Sequence, residues 1–60
     1  MSTDDKDFLK RTLINQQEAV RDYQRFADQT EDSNLKQIFS EFAENEGQHA
    51  QKLKQILEEQ

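Results

Sequence analysis

Apolar residues along this chain recur at steps of three and four and nowhere alternate with polar ones over a sustained stretch. That spacing is the period of a helix laid against a neighbour, not of a strand. In the first half, Leu9, Leu13, Ala19, Val20, Tyr23, Phe26 and Ala27 gather on one side of a helix. In the second, Leu35, Ile38, Phe39, Phe42, Ala43, Ala50, Leu53, Ile56 and Leu57 do the same. Ile14 points away from its stripe, either as a single exposed apolar residue or as a second contact. Between the halves, Thr30-Glu31-Asp32-Ser33-Asn34 has no apolar residue and consists of side chains that turn or cap a chain. Asp32 or Ser33 is a natural N-cap for the second helix. Ser2 or Thr3 plays that part at the start, ahead of acidic Asp4, Asp5 and Asp7. The pattern predicts an all-α fold, with helices over about 4–29 and 33–58 in a single domain spanning 1–60. A break this short forces the two helices antiparallel, as a helical hairpin.

Each stripe is interrupted by polar residues halfway along. Gln16 sits at the centre of the first, seven residues from both Leu9 and Tyr23, while Glu46 lies in the middle of the second with His49 at its edge. The midpoint of 16 and 46 is 31, inside the turn, so an antiparallel hairpin sets Gln16 level with Glu46. A carboxylate in an apolar stripe is costly unless it is paired. The spacing Glu46-x-x-His49 puts carboxylate and imidazole side by side on one helical face. That donor set suits iron, manganese or zinc. Two roles are open for the pair: metal ligands, or a buried hydrogen-bonded pair that fixes the register of a helical core. Gln16 likewise either ligates weakly through its carbonyl oxygen or only hydrogen-bonds Glu46 or His49 across the core. The one glycine, Gly47, falls inside this motif. It marks either a close approach of a neighbouring helix or mere drift.

Composition narrows the partners. Eight Lys and Arg against thirteen Asp and Glu give a formal charge of −5, with no basic run longer than Lys10-Arg11. That argues against nucleic acid and against an anionic membrane surface. No apolar run is long enough for a membrane span or a signal-peptide core, and the absence of cysteine makes a reducing cytoplasm the default expectation. There is no nucleophile–base pair, phosphate loop or cysteine cluster on which a hydrolase or nucleotide-binding function could stand. Sixty residues, 32% of them hydrophobic, cannot enclose their own apolar face without a disulfide. The remaining routes are a metal or self-association. Two hairpins facing each other, as a homodimer or within a higher homo-oligomer, would make a four-helix bundle.

Taken together, Tyr23-x-x-Phe26-Ala27, the Thr30-Glu31-Asp32 turn, Leu35 and Glu46-x-x-His49-Ala50 resemble the ferritin-like superfamily. The likeness is to the rubrerythrin half-bundle and the small encapsulated ferritins, and it covers about residues 9–57. It implies a dimer-completed four-helix bundle around a di-iron site. One Glu comes from each of two helices and a Glu-x-x-His from each of the other two. Carried onto this chain, the resemblance makes Glu46 and His49 metal ligands and Tyr23 either a residue that supports them from behind or a packing residue of the core. Gln16 stands where the family has a glutamate, seven residues before the tyrosine. Glu18 is the alternative carboxylate. It lies two residues on, rotated by roughly 200° onto the face of Arg21 and Arg25, and needs a helix irregularity to turn inward.

The glutamine changes the charge count. Four glutamates offset two divalent ions, whereas two copies of this chain bring two glutamates, two histidines and two glutamines, enough for one. The expected site is therefore weakened or mononuclear. The implied activity is iron binding or iron oxidation by O2 or peroxide, as a ferroxidase or rubrerythrin-like oxidoreductase. With no rubredoxin-like four-cysteine segment, a peroxidase cycle would draw on an external electron donor. The alternative is a non-catalytic structural or interaction module whose metal site is vestigial.

Overall fold

The computed structural model describes residues 1–59. Two helices account for nearly all of them, α1 (Thr3–Gln29) and α2 (Ser33–Glu58), joined by a three-residue turn. There is no strand among the described residues. The expected helical hairpin is therefore present, with boundaries within one residue of those read from the pattern.

Both helix starts are set by side chains. Ser2 is the N-cap of α1: its hydroxyl accepts from the Asp5 N–H at 3.1 Å, and the Asp5 carboxylate accepts from the Ser2 N–H at 3.3 Å. This reciprocal capping box satisfies two backbone donors that have no partner inside the helix. At α2, Asp32 Oδ1 accepts from Asn34 N at 2.9 Å and Leu35 N at 3.0 Å. Thr30 closes α1 by donating its N–H to Phe26 O at 2.9 Å. Lys36, one turn into α2, reaches back to donate from Nζ to the Ala27 carbonyl at 2.6 Å. A cation on the exposed carbonyls of a helix end also complements the helix dipole. The turn is thus tied from both sides.

The helices meet along a narrow seam. The buried residues among those described are three alanines, Ala27, Ala43 and Ala50. Around them lie half-buried Leu9, Leu13, Gln16, Val20 and Tyr23 on α1, and Phe39, Glu46, Leu53 and Leu57 on α2. Small residues at the seam let the backbones approach closely. Tyr23, Phe26, Phe39 and Phe42 cluster near the turn, with ring centroids 4.7–5.8 Å apart in tilted and edge-on arrangements. Such geometry is favourable beyond the area it buries.

One part of each stripe stays uncovered. Phe26, Leu35, Ile38 and Phe42 are 37–44% exposed. Sequence periodicity gave one stripe per helix, whereas the structure splits it into a seam and an open flank. The cause is geometric: an apolar arc of this width is more than one partner helix can cover. Ile14, off the stripe, is exposed, the first of the two roles its position left open within one hairpin. The hairpin measures 45 × 14 × 11 Å, a single layer of two helices. No helix among the described residues is long and apolar enough to cross a membrane.

Candidate metal centre

The register of the hairpin can be read from its aromatic end. Tyr23 on α1 packs against both Phe39 and Phe42 on α2, at centroid distances of 5.7 and 5.8 Å. Seven residues are just short of two helical turns, so positions seven apart share nearly the same face. Stepping seven back from Tyr23 gives Gln16, and seven forward from Phe39 and Phe42 gives Glu46 and His49. The three polar residues therefore repeat, two turns further from the loop, the arrangement of the three rings. Uninterrupted helices on both sides preserve that repeat.

Glu46 occupies the seam and His49 the flank. Their side chains are 29% and 64% exposed, and Glu46 Oε1 lies 3.7 Å from His49 Nδ1. That separation is too long for a hydrogen bond. The buried hydrogen-bonded pair entertained from sequence is thus not what a single hairpin contains. What it contains is a carboxylate and an imidazole side by side, with capacity left on both. His49 follows Phe42 by seven residues, so it continues the open apolar flank rather than the closed seam.

Gln16 is half-buried in the seam. Its carbonyl oxygen Oε1 is enclosed and has no hydrogen-bond partner among the described residues. The bond to Glu46 or His49 that sequence reasoning allowed is not made. An enclosed acceptor without a donor costs roughly 1–3 kcal/mol relative to a satisfied one. The fold retains that cost at mid-length, level with the Glu-x-x-His pair.

Glu18, the alternative carboxylate, is exposed on the outer side of α1. The helix runs unbroken through it, so no irregularity turns it inward. Its surroundings are a mixed-charge face on which Asp22 and Arg25 form a 3.9 Å ion pair, both side chains well exposed. Tyr23 is half-buried, its ring held by Phe39 and Phe42, two turns from the Glu-x-x-His pair. Gly47 has open space around it: a Cβ there would meet nothing within 4 Å. Close approach within the hairpin is therefore not its reason. The structure also shows a shallow polar depression lined by Gln24, Ala27, Asp28 and Ser40, on the side away from His49. No periodicity signal pointed to it, because Gln24, Asp28 and Ser40 read as ordinary solvated positions.

Among the described residues of one chain, no three His, Cys, Asp or Glu side chains come together as a metal-binding group. The donor chemistry nonetheless fits a divalent ion in part. It comprises a carboxylate, an imidazole and, level with them, an enclosed amide oxygen lacking a donor. No curated protein and no solved structure matches the chain. A family model described as Rubrerythrin matches residues 7–60, which takes in both helices, the turn and the whole Glu46–His49 motif. The chain therefore belongs to the rubrerythrin family, within the ferritin-like superfamily.

Proposed function

We propose that two copies of this hairpin pack flank to flank into a four-helix bundle and hold a divalent metal, iron foremost, between Glu46 and His49 of each copy. The observation that supports it is the placement of His49. It lies in line with Leu35, Ile38 and Phe42 on an apolar flank that nothing among the described residues covers, beside a carboxylate with unused capacity. A second copy would cover the flank and double the ligand set in one step.

Surface area argues the same way. A compact monomer of 7.1 kDa exposes about 4,100 Å² by the usual size scaling, against 4720 Å² here. The excess, on the order of 600 Å², approaches the roughly 800 Å² that each partner buries in a standard interface. Family membership supports iron over manganese and zinc as the metal. When bound, iron would supply one-electron chemistry toward O2 or peroxide. In this reading Glu46 and His49 would hold the ion, and the aromatic end, two turns away, keeps the two helices in the register that sets them level with Gln16. The second reading, a structural bundle with a vestigial site, draws on one observation: the neutral Gln16 at the family's glutamate position.

Chelation separates the two. At free metal about a hundredfold above Kd, binding stabilises the folded state by about 2.7 kcal/mol. For a domain this small, that raises Tm by roughly 10–20 °C. The wild-type protein should show that rise with Fe(II) under anaerobic conditions and lose it with EDTA. The Glu46→Ala and His49→Ala variants should show no response to either. A wild-type melting temperature indifferent to metal and chelator would leave the structural reading.

A further inference from the structure

Gln16 carries an inference that rests on the shared metal site and goes beyond it. Three observations converge on this residue. Its amide oxygen is enclosed and has no hydrogen-bond donor among the described residues. The register set by Tyr23, Phe39 and Phe42 brings it level with Glu46 and His49. It is uncharged, so two copies of the chain offer only the two Glu46 carboxylates as negative ligands. An amide oxygen in that position is a competent neutral donor to a hard or borderline cation, as amide carbonyls are in calcium sites. Two carboxylates, two imidazoles and two amide oxygens make six donor groups whose summed charge balances a single divalent ion. A second ion would add two uncompensated positive charges at the core of a bundle, where the screening of water is lost.

We propose that Gln16 supplies its amide oxygen as a direct ligand, and that the dimer accordingly holds one divalent ion rather than two. The glutamine is then neither a damaged ligand nor a spectator. It sets the metal count.

Native mass spectrometry of the full chain, loaded anaerobically with Mn(II) alone and then with Fe(II) alone, reads oligomer and metal count together. The expected wild-type species is a dimer carrying one ion, with the Mn(II) form giving the magnetically uncoupled spectrum of an isolated centre. Gln16→Glu should take two ions per dimer, and its Mn(II) form should show coupling between them. Gln16→Leu continues the apolar stripe of Leu9, Leu13 and Val20 and should fold, with affinity for one ion lowered at least about tenfold. That is the lower end of what loss of even an outer hydrogen-bonding partner costs a metal site. Two ions on the wild-type dimer, one ion on Gln16→Glu, or unchanged affinity in Gln16→Leu would each overturn the inference while leaving the shared site standing. No ion on a wild-type dimer, or a monomer throughout, would instead remove the shared site itself.

Discussion

Gly47 sits in the middle of a helix, where glycine is the second-worst residue for stability. Within the hairpin, a methyl group at this position would meet no atom within 4 Å. Seven residues before it lies Ser40, on the side of the polar depression, whereas His49 and Phe42 lie on the opposite flank. A second copy docked on the apolar flank therefore leaves Gly47 untouched. Gly47→Ala should stabilise the protein by about 0.5–1 kcal/mol, the helix-propensity difference between the two residues, with metal binding unchanged. Urea denaturation at fixed protein concentration checks this. A destabilised variant would mean that some other surface packs on that side.

Much of the candidate site was legible at this scale, and what was missed has a physical cause. The i, i+3 spacing of Glu46 and His49 was enough to place them side by side, and the midpoint of residues 16 and 46 was enough to set Gln16 level with Glu46. Spacing carries no information about the last ångström. Whether Glu46 and His49 touch, and whether the Gln16 amide finds a donor, depends on rotamers chosen by the neighbouring helix. The structure leaves the first pair 3.7 Å apart and the second group without a partner.

At the scale of elements, capping decides where the helices begin. Asp32 accepts two backbone N–H groups at the head of α2, and the Ser2–Asp5 capping box does comparable work at the head of α1. Their consequences differ. Losing the first cap frays a chain end, while losing Asp32 loosens the turn that holds the helices antiparallel. Asp32→Ala should therefore cost about 1 kcal/mol of unfolding free energy, in the usual range for an N-cap. Ser2→Ala should cost less and reduce helicity only in the first turn. Circular dichroism during urea titration of the two variants gives both numbers. Both caps were readable in sequence to within one residue, because capping depends on the short polar side chains themselves. The Lys36 hydrogen bond to Ala27 was not, since a lysine at an exposed helical position carries no sign of where its ammonium goes.

For the whole molecule the deciding feature is thickness. One layer of two helices, with three alanines as the buried residues among those described, has little interior of its own. The sequence showed that a partner face was needed, but it merged seam and flank into a single stripe. Only the packed hairpin separates Leu35, Ile38, Phe26 and Phe42 as the uncovered set. Ile38 is the most informative of these to change, as it is 40% exposed and lies outside the ring cluster. The wild-type chain should sediment as a dimer whose Tm rises with protein concentration. Ile38→Glu should shift it to monomer and remove that dependence. If mass and Tm are the same for both, the flank is not an interface.

The aromatic cluster also sets an order of events. Its four rings lie at the closed end of the hairpin, so they are among the inter-helix neighbours separated by the least intervening chain. Loop-closure entropy is smallest there, and contacts of short sequence separation form early. Folding accordingly zips outward from the turn, with the rings closing first and the chain termini last. Gln16, Glu46 and His49 lie midway along that path. They come into register only after the aromatic end has locked the helices side by side, so under the proposed function metal capture would come late and would select hairpins already correctly paired.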